Sequence, residues 1–354
     1  MYSIPFLYIL LTLVNIKYMK NLEEFLENHK KSHFLQSPKW AKVKKEWKNE
    51  LIVLRDKDDN IKGTMSLLLR KVPVINRYIM YAPRGFVCEI HDKETLFKLT
   101  EEAKKIAKKY NAFIFRLDPD ISNDDEEFIK IVRDLGYKLK NNIKNTNQVI
   151  QPKYVFRLNI KEKTEEELLK SFNEKTRYNI RLSSRKGVKI REGTKKDLKI
   201  FYNIIKETGT RDNFFIRPFE YFENIWDAMY PKHVKLLIAE YENEPIAAVL
   251  PILYGNKVWY LYGGSANKHR NLMPNYLLQF EMIKWGVQNN CEIYDFRGVS
   301  GFKNKSDPQY GIYKFKKGFN GEFIEFVDEM YMIFNKPVYM LYKMGEILYK
   351  KLRI

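Results

Sequence analysis

The stretch Val234-Lys235-Leu236-Leu237-Ile238-Ala239-Glu240-Tyr241, followed by Glu242-Asn243-Glu244 and then Ile246–Leu253, decides the fold. Two apolar runs flank a turn of polar residues, which predicts an antiparallel hairpin. A second turn, Tyr254-Gly255-Asn256, leads to a third strand over Val258–Tyr262. A helix is expected over about Asn275–Asn289, where Leu278, Met282 and Trp285 fall at i, i+4 and i+7 on one face. The buried strand Glu292–Phe296 closes the series.

The same order is written earlier in the chain. Leu51–Arg55, a turn at Asp58-Asp59-Asn60, Thr64–Arg70 and Tyr78–Ala82 read as three strands. A helix over about Lys93–Tyr110 and a buried strand, Ala112–Arg116, follow. Strand–strand–strand–helix–strand, occurring twice, predicts an α+β chain of two similar domains with mostly antiparallel sheets. That is the core order of the GNAT acyltransferase fold, so a tandem duplication of two GNAT-like domains is expected. The boundary is placed near Gln151-Pro152-Lys153. It gives one domain over 19–152, joined by the C-terminal segment 327–354, and a second over 153–326.

Composition agrees with such a chain. Its 354 residues suit two domains at roughly 100–200 residues each. With 45% apolar and 15% aromatic residues and little Gly or Pro, disordered and collagen-like classes are excluded. Cys88 and Cys291 are too few for a disulfide framework or a Cys-built zinc site, and fit a reducing cytoplasm. The five histidines (His29, His33, His91, His233, His269) show no metal-ligand spacing, so no metal is expected. The formal charge of +19 points to a polyanionic partner. The apolar run Ile4–Val14 is shorter than the roughly 20 residues of a spanning helix. It also lacks the flanks of a secretory signal. Residues 1–18 are therefore expected outside the fold, either ahead of a true start at Met19 or as a short interfacial anchor.

Several motifs, in order, carry a family resemblance. They are Gln36-Ser37 with Trp40-Ala41-Lys42-Val43-Lys44, Phe115-Arg116-Leu117-Asp118-Pro119-Asp120, Ile150-Gln151-Pro152, and Arg217-Pro218-Phe219-Glu220-Tyr221-Phe222. Val258-Trp259-Tyr260-Leu261-Tyr262-Gly263-Gly264-Ser265, Tyr294-Asp295-Phe296-Arg297-Gly298 and Tyr310-Gly311-Ile312-Tyr313-Lys314-Phe315-Lys316 complete the set. Together they resemble the Fem family of peptidoglycan interpeptide-bridge aminoacyltransferases over roughly residues 34–320. The segment between Lys170 and Phe201 has no room for a long helical-hairpin arm, so the armless FemX type is the nearer likeness.

The resemblance implies a site. Lys44 and Arg217 match the cations that hold the diphosphate of a muramyl-peptide acceptor, which is UDP-MurNAc-pentapeptide or lipid II. A guanidinium fork and a compact ammonium both suit phosphate oxygens. Tyr221 and Tyr262 match tyrosines lining that acceptor site, and Asp118 a carboxylate near the acceptor peptide. Phe315 and Lys316 match the pair associated with the tRNA acceptor end. The resemblance also implies aminoacyl-tRNA as co-substrate with no further cofactor. Asp118 and Lys316 are the expected catalytic residues, and the general base is Asp118 or the substrate itself.

Between Lys170 and Arg191 eight cations stand against Glu174 alone. Arg177, Arg181 and Arg185, at i, i+4 and i+8, would stripe one helix face as a tRNA-backbone surface. The junction before the second helix, Gly264–Tyr276, lacks the spaced glycines with which acyl-CoA enzymes cradle pyrophosphate, as does Pro83-Arg84-Gly85-Phe86-Val87. The expectation is thus a cytoplasmic, tRNA-dependent aminoacyltransferase, monomeric and at most peripheral to the inner face of the membrane. The alternatives are an acyl-CoA-dependent N-acyltransferase and a non-catalytic RNA- or membrane-binding protein. The tail after Phe326, where aromatics alternate with Lys343, Lys350, Lys351 and Arg353, reads as a helix packed on the first domain or touching an anionic membrane.

Overall fold

The computed structural model describes residues 21–73, 75–140, 150–301 and 305–352, so the expectation for residues 1–18 and that for Arg353 lie outside the described residues. Two sheets carry the chain. The first is built from β1 (Lys48–Arg55), β2 (Ile61–Val72), β3 (Arg77–Ala82), β4 (Val87–Cys88), β5 (Ala112–Leu117) and β6 (Lys138–Leu139). The second comprises β7 (Tyr154–Asn159), β8 (Lys189–Glu192), β9 (Leu237–Tyr241), β10 (Glu244–Tyr254), β11 (Lys257–Ser265), β12 (Ile293–Val299) and β13 (Glu322–Glu325). The last strand, β14 (Met330–Ile333), returns to the first sheet between β5 and β6. The orders are β1-β2-β3-β5-β14-β6, with β4 on β2, and β13-β7-β12-β11-β10-β9-β8.

Helices cover both faces of each sheet. They are α1 (21–28), α2 (Pro38–Val43), α3 (Lys93–Lys109), α4 (Glu126–Asp134), α5 (Glu165–Ser171), α6 (Glu174–Arg185), α7 (Leu198–Asp212), α8 (Phe219–Met229), α9 (Pro274–Gln288), α10 (Tyr310–Lys317) and α11 (Lys336–Leu352). In α3 the Asp92 side chain accepts the Thr95 N–H as an N-cap, and Leu96, Leu99, Ala103 and Ala107 form the buried stripe. α3 and α4 cover one face of the first sheet and α11 the other. In the second sheet α5, α6, α9 and α10 pack on one face. The other receives α7 and α8 together with Leu22, Leu26, Phe34 and Trp40 from the N-terminal segment. Buried on both faces, β10 reads as a continuous apolar run. No helical hairpin projects between α5 and α7: that stretch is α6, β8 and a short 3-10 turn.

The strand expected from Val234 begins instead at Leu237, and Val234 keeps only an isolated bridge to Ile252. Pro251 has no N–H to donate, and the β10–β11 register shifts beside it, between Leu250 and Ile252. The extra residue in β11 reverses the side-chain alternation. Tyr260 therefore packs towards the α9–α10 face and Tyr262 towards α7 and α8.

In each half the helix after the third strand leads to a parallel strand pair. β3 and β5 stay paired from Tyr78 with Ala112 to Ala82 with Leu117. β11 and β12 pair only at Lys257–Trp259 against Ile293–Asp295 and then part. The candidate site lies at that parting.

Candidate active site

α2 ends at Lys44 because its start is fixed: Ser37 accepts the Trp40 N–H, Pro38 opens the helix, and Trp40 is buried. This brings Lys44 to α8, where its Nζ donates to the Tyr221 hydroxyl at 3.3 Å and sits 4.6 Å from the centre of that ring. Tyr221 in turn meets Tyr262 of β11 edge to face, with ring centres 6.3 Å apart. Arg217, just before α8, places its guanidinium 5.5 Å from the Tyr221 ring. Burial, and then the charge of Arg217, push the Lys44 ammonium down to about 8. Glu46 opposes this shift through its charge, without a hydrogen bond to the ammonium. Two cations flanking one tyrosine, close enough for Arg217 to lower the proton affinity of Lys44, make a candidate anion site.

The second cluster fills the gap between β11 and β12. Lys316, on α10 and 6% exposed, donates to the Gly298 carbonyl of β12 at 2.8 Å and lies 5.6 Å from the Tyr260 ring of β11. Burial pushes its ammonium down to about 7, against the opposing pull of Asp295. A Cβ on Gly263 would fall 2.4 Å from the Tyr260 ring, so any larger residue there must displace that ring. Arg297 adopts a left-handed φ of 61° at a register shift of β12. Its N–H reaches Asp295 at 2.7 Å, and its guanidinium reaches the Gln151 side-chain carbonyl at 2.9 Å. A non-glycine residue in that region costs about 1–3 kcal/mol and marks a conformation that its surroundings impose.

Asp118 follows β5 at the corresponding end of the first sheet and is 5% exposed. The Tyr81 hydroxyl donates to it at 2.7 Å and the Arg84 N–H at 3.1 Å, while burial raises its carboxyl to about 6. Arg84 too has a left-handed φ, of 58°. The two halves are tied together by Arg157 of β7, which bonds Asp295 at 2.9 Å and Asp120 at 2.6 Å. The guanidinium groups of Arg84 and Arg157 both lie over the Phe326 ring, at 4.6 and 4.8 Å.

Lys44, Arg217, Tyr221 and Tyr262 thus meet in one cluster, Lys316 meets β11 at Tyr260 from the other face of the sheet, and Asp118 sits across the seam on the first half. Phe315 is half-buried, with its ring against Tyr276 and Phe319, and anchors α10 to α9. The arginine stripe needs correction. Arg177 turns inward and donates to the carbonyls of Lys170 and Phe172 at the end of α5, which lack helical partners. Lys170 pairs with Glu166, and Arg191 with Asp197 and Glu240, acids that lie outside the basic stretch itself. Arg181 and Arg185 remain exposed, beside the exposed ring of Tyr178. Arg297, Gln151, Tyr81, Arg84 and Arg157 received no role from the sequence. Arg297 and Gln151 lie inside the motifs quoted above, which is the one signal that marked them.

After β11 the chain makes a 3-10 turn at Arg270–Leu272, with His269 and Met273 both left-handed, and α9 opens on Pro274, which has no N–H. Among the described residues no group of His, Cys, Asp and Glu is arranged to hold a metal ion. Likewise no helix there is long and apolar enough to cross a membrane.

Comparison with known proteins extends the picture. A model of the FemAB family matches residues 19–244 and 232–350. A lipid II:glycine glycyltransferase of Staphylococcus epidermidis is 30% identical over 385 aligned positions, covering 90% of this chain and 92% of the relative. A solved structure of FemX superposes with a TM-score of 0.85 at 27% identity, over 91% of this chain and 98% of that one. A tandem GNAT protein of clavulanic acid biosynthesis shares the fold, with a TM-score of 0.52 at 7% identity over 89% of this chain and 94% of its own.

Proposed function

The chain belongs to the FemAB family and is an aminoacyltransferase, and from that premise we propose that it transfers an aminoacyl group from aminoacyl-tRNA to the stem-peptide amine of lipid II. The observation that carries this reading is the arrangement of two cation sets along one strand. Lys44 and Arg217 meet β11 through Tyr221 at Tyr262, and Lys316 meets it at Tyr260. The register shift between the two tyrosines turns their rings to opposite faces of the second sheet, so the two sets approach β11 from its two sides. The first set holds the acceptor diphosphate. The second faces the reacting ester.

In the reaction the amine nitrogen attacks the ester carbonyl. The C–N bond forms, the C–O bond to the tRNA ribose breaks, and the proton lost by the amine ends on the departing hydroxyl. The ester is already activated, so positioning and charge stabilisation suffice. Lys316 stabilises the oxyanion or the terminal phosphate, and its lowered proton affinity also lets it pass a proton to the leaving oxygen. Asp118, raised to about 6, is ionised at neutral pH and available to the amine. Arg181 and Arg185 offer exposed charge to the tRNA backbone. The Pro274 start of α9 and the left-handed turn before it argue against an acyl-CoA pyrophosphate cradle.

A Lys44→Ala/Arg217→Ala variant tests the acceptor assignment by calorimetric titration with the soluble nucleotide-linked precursor. Affinity is expected to fall roughly 10- to 100-fold per charged group removed while tRNA binding persists. Acceptor binding that survives intact overturns the diphosphate site.

A further inference from the structure

α11 has two apolar faces. Val338, Tyr339 and Tyr342 pack inward with Ile79, Phe113 and Ile114 of the first sheet. Met340, Leu341, Met344, Ile347 and Leu348 are each more than half exposed. At about 100° per residue these five fall in an arc of about 120°, opposite the residues that face the sheet. Among the described residues no other helix carries more than one large exposed apolar side chain. A helix resting on a protein core needs one apolar stripe. Among the described residues nothing packs on the second, continuous stripe.

The charge around the stripe is one-sided. Lys336 is exposed at the helix start, and Arg70 and Lys71 are exposed at the end of β2, where Val72 packs into the same cluster as Tyr342. The single acid of α11, Glu346, is taken up by Lys343 at 2.9 Å and by the Tyr342 hydroxyl at 2.9 Å. An apolar helix face rimmed by cations and without a free carboxylate fits the boundary between headgroups and acyl chains of an anionic bilayer.

We infer that the outer face of α11 docks the chain on an anionic phospholipid bilayer. The inference deepens the proposed function and draws its purpose from it, since a lipid-linked acceptor is presented only at such a surface. The geometry of the stripe is independent of that reading.

Flotation of the full chain with vesicles tests it. The chain is expected to float with phosphatidylglycerol vesicles and to stay behind with phosphatidylcholine alone. Leu341→Glu/Met344→Glu/Leu348→Glu should reduce flotation roughly tenfold or more. Lys71→Gln/Lys336→Gln, which leaves the stripe intact, should reduce it roughly fivefold per charge removed. Both variants should keep transfer to a soluble nucleotide-linked acceptor and lose transfer to vesicle-embedded lipid II. Undiminished flotation of the triple variant overturns the inference. So does a wild-type oligomer that the triple variant dissolves, because the stripe then covers a second copy of the chain. If flotation responds as described but neither acceptor is ever modified, the docking face stands and the transferase reading fails.

Discussion

Two parallel strand pairs hold the same position in the two halves of the chain and end differently. β3 and β5 remain paired to their last residues, Ala82 and Leu117. β11 and β12 separate after Trp259 and Asp295. A closed pair satisfies its own backbone groups and can offer side chains only where it stops, which is where Tyr81 and Asp118 stand. A parted pair leaves carbonyls to be satisfied from elsewhere, and Lys316 takes the one at Gly298. One duplicated plan has thus yielded a closed half that supplies a carboxylate at its rim and an opened half that admits a cation between its strands.

The contrast can be broken most sharply at Lys316. Lys316→Met should lower kcat about 10²- to 10³-fold, the usual cost of losing one oxyanion donor, with acceptor KM little changed. An unchanged kcat would mean that the parting serves packing alone. Gly263→Ala comes next, because its Cβ would collide with the Tyr260 ring beneath Lys316. A displacement of about 1 Å there can cost up to about 100-fold in kcat. Wild-type kcat in a folded Gly263→Ala protein would show that the Tyr260 position does not matter.

The two halves should also titrate differently. Asp118 acts as a carboxylate, so activity rises with pH through about 6; Lys316 acts as an ammonium, so activity falls through about 7. A plot of kcat/KM against pH should be a narrow bell, and Asp118→Asn should remove its acid limb alone. A flat profile across that range contradicts both roles. The smallest effect belongs to α6. Arg181→Ala/Arg185→Ala should reduce the log–log salt slope of tRNA binding by about 0.7–0.9 for each phosphate no longer neutralised. Arg177→Ala should leave the slope unchanged and cost about 1 kcal/mol of stability, through the carbonyls it now serves. Equal slope changes in the two variants would contradict the division of the stripe.

The strands and helices were legible because apolar runs and turn residues carry them locally. The start at Val234 was misjudged because Pro251, on the neighbouring strand, decides where that ladder breaks. The clustered site residues were legible as motif matches, but the contact between Lys44 and Tyr221 joins positions 177 residues apart. No local pattern contains it. The left-handed backbone of Arg297 is likewise set by the register shift of β12 against β7, whereas Arg177 answers carbonyls freed only where α5 ends, which helix periodicity alone does not mark. The second apolar face of α11 is present in the sequence, yet only the packing of the first face shows that the second is left uncovered.

The most direct measurement is the mass of lipid II recovered after incubation with the purified chain and a mixed aminoacyl-tRNA pool, beside a parallel reaction with acetyl-CoA. The expected result is a stem peptide heavier by one aminoacyl residue in the first reaction and unmodified in the second. Unmodified lipid II with aminoacyl-tRNA, together with an acetylated amine from acetyl-CoA, would contradict it.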